Sequence, residues 1–150
     1  MLIRDILNVK GGAIHTIHAS QPLSAAIALM VRLDIGSLVV VEEAGMAGLL
    51  TFREVLRALD APQASLTRTM VREIMDPNPV CGDLSDTIDD LRQIMTERHI
   101  RYLPVKAGDK LVGIISFHDV AKAVILETGM ENRLLRRYIE SQSELRADSS

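Results

Sequence analysis

GIISFHDV at 113–120 and GLLTFREV at 48–55 are two versions of one phrase, and their relation decides how the chain is read. Each is an apolar run closed by Ser or Thr, followed by Phe and, two residues later, an acid. That pattern describes a strand turning directly into a helix. A constant offset of 65 residues pairs Gly48 with Gly113 and Phe52 with Phe117, and extends to Met30 with Met95 and Ile35 with Ile100. Between 30–58 and 95–123, 8 of 29 positions are identical and most other apolar positions match in kind. The chain therefore contains an internal duplication.

Outward from each junction, the copies keep the same order of elements. In the first, 22–33 places Leu23, Ile27, Met30 and Val31 on one helical face. The nearly unbroken apolar run 37–41 suits a strand covered on both sides. A turn at 42–45, a strand at 46–50 and a helix at 52–59 follow. The second copy predicts a helix at 87–98, a strand at 102–106, a turn at 107–109, a strand at 111–115 and a helix at 117–126. A short extended piece enters each copy, at 13–17 and at 79–81, so the predicted unit is β-α-β-β-α. The fold class is accordingly α/β (α+β), with repeats at 1–65 and 66–128 and a terminal segment at 129–150. Pro62, Gln63, Ser65 and Thr67 mark 60–68 as an exposed connector. After Thr128 and Gly129, Leu134, Leu135, Tyr138 and Ile139 form one face of a separate amphipathic helix, expected to dock on the core or on a partner subunit. The last four residues are expected to fray.

With 150 residues, 47% of them hydrophobic, the chain can bury a core of one compact domain. No apolar run approaches the roughly 20 residues of a membrane span. Arg4, Asp5 and Lys10 interrupt the opening residues, unlike a secretory signal. A cytoplasmic location is expected, and the single Cys81, unable to form an internal disulfide, agrees with it. Seventeen basic and twenty acidic residues give a net charge of −3 without a basic block or an aromatic platform, so nucleic acid is not an expected partner. His15, His18, His99 and His118 have no metal-ligand spacing, and no metal is expected. No nucleophile stands beside a recognisable base, and neither GxSxG nor a Walker sequence occurs; no catalytic residue and no enzyme activity are expected.

The duplicated spacing, the Met30 and Met95 helices, HIRYLPV at 99–105 and GIISFHD at 113–119 resemble a tandem cystathionine-β-synthase (CBS) domain pair, or Bateman module. The resemblance covers the chain from about Ile3 to Leu126. LNVKGGAIHTI and RLLRRYIES are further similar to small bacterial proteins that consist of a CBS pair alone. It implies two repeats packed with pseudo-twofold symmetry, usually as a homodimer, with clefts that bind adenosine ligands such as AMP, ATP or NAD. It implies a regulatory role and a downstream protein that the sequence does not name.

At each junction, free N–H groups at a helix start favour an anion. Ser116 could hold a phosphate there, and Asp119 could accept hydrogen bonds from a ribose diol; the family motif assigns these two roles. The same spacing is also a capping box, and the Glu of Thr51-x-x-Glu54 makes the better box. The departure at Glu54 implies a first cleft that is empty or takes a different ligand. By family position, Val80, Cys81, Arg101, Tyr102 and Pro104 join Ser116, His118 and Asp119 in the second-repeat site. Ile17, Gly36 and Ser37 join Thr51, Arg53 and Glu54 in the first, with Lys10 a further phosphate candidate. Arg53 and His118 occupy matched positions that face phosphate in the family, and Arg53 can offer the planar bidentate contact.

Overall fold

The computed structural model describes the backbone of residues 1–148 and the side chains of 1–129 and 133–141. The chain runs α1 (Ile3–Lys10), β1 (Thr16–His18), α2 (Leu23–Leu33), β2 (Ser37–Glu42), β3 (Gly45–Thr51) and α3 (Phe52–Asp60). It continues with α4 (Val71–Ile74), β4 (Gly82–Asp83), α5 (Ile88–Glu97), β5 (Tyr102–Ala107), β6 (Lys110–Ser116) and α6 (Phe117–Asp148). Two three-stranded sheets result, ordered β1-β2-β3 and β4-β5-β6. In each, a parallel entering strand flanks an antiparallel hairpin. No described helix is long and apolar enough to cross a membrane.

The offset of 65 reaches into backbone detail. Ile17 pairs with Val40 and Gly82 with Val105, and each hairpin shifts register just after that residue, between Val40 and Val41 and between Val105 and Lys106. Asp34 and His99, matched by the same offset, both take left-handed backbone, with φ of 53° and 55°. This closes the preceding helix where a glycine would ordinarily serve. The central strands are buried on both faces, as their apolar runs require: Leu38, Val39 and Val40 are at most 1% exposed, and Leu103 and Val105 are fully covered.

Several expectations are corrected. The second entering strand lies at Gly82–Asp83 rather than 79–81, and the first at Thr16–His18 rather than 13–17. Gly129 does not end a helix: α6 runs unbroken from Phe117 to Asp148. A single interior Gly costs a helix only about 1 kcal/mol, and without Pro nothing forces a stop. Leu134, Leu135, Tyr138 and Ile139 do not dock on the chain's own core, being 63%, 62%, 63% and 58% exposed. Of the last four residues, expected to fray, Ala147 and Asp148 still belong to α6, and the last two lie outside the described ones.

Packing crosses the linear order of the repeats. One core gathers Ile88, Leu91, Met95, Leu103, Val105, Ile115 and Val120 of the second copy with Ile3, Ile6 and Leu7 of α1. The other gathers Leu23, Met30, Leu38, Val40, Leu50 and Val55 of the first copy with Val71 of α4, and Ile74 and Met75 pack against it. Each helix that precedes an entering strand thus covers the other copy's sheet. Backbone bonds tie the exchange down: Ile3 N–H donates to the Asp86 carbonyl at 3.0 Å, and Val71 N–H to the Gln21 carbonyl at 2.9 Å.

The glycine that opens each quoted junction makes room for the exchanged segment. A Cβ at Gly113 would lie 2.8 Å from Leu7 Cδ2. One at Gly48 would lie 2.9 Å from Met75 Sδ and overlap the Asp76 carbonyl oxygen. That carbonyl accepts from Leu49 N–H, and Asp76 N–H donates back to Leu49, both at 2.9 Å.

Candidate functional site

Each hairpin delivers its last residue to a helix start at the seam between the repeats. Ser116 pairs with Tyr102 and Thr51 with Ser37, so the two ends of each hairpin meet there. Phe117 N–H then donates to the Arg101 carbonyl at 2.7 Å, and Phe52 N–H to the Gly36 carbonyl at 3.2 Å, fixing both turns in matched fashion.

Two large cavities flank this seam, and each draws on both repeats. The one at Ser116, about 640 Å³, is lined by Ser116, Phe117 and His118 with Lys10, His15, Gly36 and Ser37 of the first copy and Arg101 and Tyr102. The one at Thr51, about 750 Å³, is lined by Thr51, Arg53, Glu54 and Arg57 with Pro79, Val80, Arg101 and Tyr102 of the second copy. The residues expected to serve one repeat each are therefore regrouped. Gly36, Ser37 and Lys10 join the Ser116 cleft, Val80 joins the Thr51 cleft, and Arg101 and Tyr102 line both. The physical reason is the pseudo-twofold arrangement: the start of one hairpin and its entering segment face the end of the other. Gly36 shows how close the approach is, since a Cβ there would overlap the Tyr102 hydroxyl and lie 2.9 Å from Phe52 Cε2.

Four of the named residues line neither of these cavities; Asp119 is one of them, although it bonds Ser116 and Lys10, which line the first. Ile17 is 7% exposed in the first core, Pro104 is buried in β5, and the Cys81 thiol donates to the Pro79 carbonyl at 3.4 Å. Conversely, His15 and Asp34 line the Ser116 cleft without having been proposed for it. The offset of 65 carries Val80 back to His15, so the signal was present in the sequence.

The capping geometry reverses the expected ranking. Ser116 and Asp119 form the reciprocal box, Asp119 N–H donating to Ser116 Oγ at 3.1 Å and Ser116 N–H to Asp119 Oδ2 at 2.9 Å. At the first junction, Thr51 Oγ1 accepts from Arg53 N–H at 3.3 Å, while the Thr51 hydroxyl donates to the Glu54 carboxylate instead of the box being closed through the backbone. The longer Glu side chain reaches the hydroxyl; the shorter Asp is held over the backbone.

Asp119 is nevertheless more than a cap. Lys10 Nζ donates to its Oδ2 at 2.6 Å and to the Ile114 carbonyl at 2.9 Å, which brings the end of α1 to the cleft wall. Burial pushes the Asp119 carboxyl up, but the Lys10 ammonium and the Ser116 bonds outweigh it and hold the group below the ordinary carboxylate range. Among the described residues, no hydrogen bond reaches Oδ1. The cleft thus presents the Ser116 hydroxyl and the cationic side chains of Lys10 and Arg101, with the half-buried Asp119 carboxylate bonded to Ser116 and Lys10 next to its lining. In the other cleft Arg53 reaches across the seam and donates to the His99 carbonyl.

This chain matches the CBS domain model twice, over residues 3–61 and 71–126. It is 32% identical over 119 residues to the CBS domain-containing protein YhcV of Bacillus subtilis, covering 79% of this chain and 82% of the relative. Among solved structures it superposes on a CBS-domain protein of Agrobacterium tumefaciens with a TM-score of 0.78 at 31% identity, over 82% of this chain and 98% of that one. The CBS domain pair of protein MJ0100, solved with 5′-methylthioadenosine and S-adenosyl-L-methionine, gives a TM-score of 0.70 at 25% identity, over 83% and 99% of the two chains. The chain belongs to the CBS domain family, as a tandem pair of repeats.

Proposed function

We propose that the chain is a regulatory module that binds an adenosine nucleotide of the AMP, ATP or NAD type in the Ser116 cleft and answers by shifting the packing of its repeats. The observation that carries this reading is the cleft itself, a cavity of about 640 Å³ lined by both copies, with Ser116 and Lys10 on its wall and Asp119 bonded to both of them. Asp119 keeps Oδ1 for a ribose hydroxyl, Ser116 and Lys10 meet phosphate, and Tyr102 offers an apolar ring to the base. The adenosine ligands of the MJ0100 pair lend support. A ligand that bridges the copies favours whichever arrangement it binds more tightly, and by no more than that difference. No catalytic step is assigned to it.

Thermal denaturation of nucleotide-free protein with AMP, ADP, ATP, NAD or S-adenosylmethionine tests the reading. A ligand at about 100 times its Kd should add roughly 2.7 kcal/mol. At about 2–4 °C per kcal/mol for a chain of this size, Tm should rise by roughly 5–10 °C. Asp119→Ala should abolish the rise, and no shift with any of the five ligands would overturn the proposal.

A second reading, a dimerisation or interaction module with unoccupied clefts, is favoured by the exposed stripe of Leu134, Leu135, Tyr138 and Ile139 on α6. We place a second copy of the chain or a downstream protein against it. Light scattering at the monomer mass of 16.5 kDa, with and without nucleotide, would exclude the homodimer.

A further inference from the structure

We infer that Lys10 makes the Ser116 cleft selective for adenosine ligands that carry phosphate, against adenosine itself and its cationic sulfonium derivatives. This rests on the reading of the cleft as an adenosine site and adds which charge the ligand must bring. The basis is the carboxylate that a ribose would use. Both described contacts of Asp119 fall on Oδ2, from Lys10 Nζ at 2.6 Å and from Ser116 N–H at 2.9 Å. A vicinal diol that takes Oδ1 alone loses one of its two bonds. A diol that takes both oxygens competes with the ammonium.

The outcome of that competition depends on what else the ligand offers. Lys10 is the last residue of α1, whose backbone is held by Ile3, Ile6 and Leu7 in the second core. Its side chain therefore starts from a fixed point beside the cleft, which keeps the ammonium within reach of a phosphate there. A phosphate on the ligand gives it a new anionic partner there, so the carboxylate is released without leaving a cation unpaired. Adenosine provides no such partner: the ion pair is either kept at the expense of a ribose bond or broken without replacement. S-adenosylmethionine sets a sulfonium on the 5′ carbon, where AMP carries its phosphate, and so adds repulsion from Lys10 and Arg101 there, its carboxylate lying farther out along the methionine arm. The Thr51 cleft lacks this device, because among the described contacts the Glu54 carboxylate is met by the Thr51 hydroxyl and not by a cation.

The test is isothermal titration of nucleotide-free protein with AMP, adenosine and S-adenosylmethionine, using the unmodified chain, Lys10→Met and Lys10→Arg. The unmodified chain should bind AMP about ten- to a hundredfold more tightly than adenosine, the range of one charge-assisted hydrogen bond. Lys10→Met, which keeps the apolar stem, should close most of that gap by weakening AMP while leaving adenosine and S-adenosylmethionine equal or tighter. Lys10→Arg should retain the gap. If Lys10→Met weakened AMP and adenosine by one common factor, or left the gap intact, the inference would be wrong. Equal affinity of the unmodified chain for AMP and adenosine would also overturn it, whatever the variants do, while the adenosine reading would stand. Binding of none of the three would overturn the inference, and the adenosine reading would fall with it if ADP, ATP and NAD also failed to bind.

Discussion

Truncating Ile3 to alanine should unsettle the second repeat, from which it is separated by the whole of the first. Ile3 is 0% exposed and packs in one cluster with Ile88, Leu91, Leu103 and Ile115. Removing the buried side chain beyond Cβ leaves a cavity bounded by a sheet and two helices, which cannot close over it easily. The loss should be about 2–5 kcal/mol, a large part of the roughly 5–15 kcal/mol that holds a domain together. At about 2–4 °C per kcal/mol, Tm should fall by roughly 5–15 °C. The location of the damage is the sharper test. Amide exchange in Ile3→Ala should accelerate first in β5 and β6, at Leu103, Val105 and Ile115, ahead of Leu38, Val40 and Leu50 in the first sheet. A loss below about 1 kcal/mol, the level of an ordinary surface change, or acceleration that begins in the first sheet, would refute the exchanged packing.

Two further outcomes separate features that look alike in sequence. Gly48→Ala should cost about 1–3 kcal/mol, because its Cβ meets the Asp76 backbone carbonyl, held by paired hydrogen bonds. Gly113→Ala should cost clearly less, since it meets only the Leu7 side chain, which can turn away; urea denaturation of the two variants gives the comparison, and equal losses would contradict it. The Asp119 carboxyl is held below its ordinary value, so the folded state binds its proton less readily than the unfolded chain. Its contribution is therefore complete above about pH 4, the unfolded carboxylate range, and disappears as pH falls through the lower folded value. Lys10→Met should flatten that acid limb in denaturation series taken down to about pH 2, with little change in slope at neutral pH.

The repeat was legible because it is written in two periodicities that local physics enforces, a helical stripe around Met30 or Met95 and an apolar run that only a doubly covered strand tolerates. From those runs the hairpins and their helix junctions follow almost residue by residue. The exchange of α1 and α4 was not legible, because Ile3, Ile6 and Leu7 read only as isolated aliphatics among charges, and nothing in their spacing says which sheet they cover. The site suffered for the same reason. Ser116, Asp119, Thr51 and Glu54 were singled out by motif, but their neighbours were assigned repeat by repeat from family position, whereas each cleft is lined from both copies. Lys10 was visible as a basic residue before two glycines. Its ammonium on Asp119 depends on a helix whose destination the sequence does not state.

That destination bears on how occupancy of the cleft could be reported. Helix α1 is clipped to α6 at both ends, by Lys10 on Asp119 at 2.6 Å and by the Met1 ammonium on Glu127 at 2.8 Å. Exposed ion pairs of the Met1 kind contribute about 0–1 kcal/mol. Each of Ile3, Ile6 and Leu7 contributes roughly 1.5–3 kcal/mol through burial, so the apolar face alone outweighs both clips. A ligand that draws Lys10 away from Asp119 therefore leaves α1 seated. What changes is the partner of the ammonium and the tension on residues 11–15, the segment that leaves the second core, lines the cleft with Ala13 and His15 and enters the first sheet. On the function proposed above, the exchanged helix would serve as the anchor and residues 11–15 as the part that answers the ligand, passing its signal between the repeats along the segment that joins them.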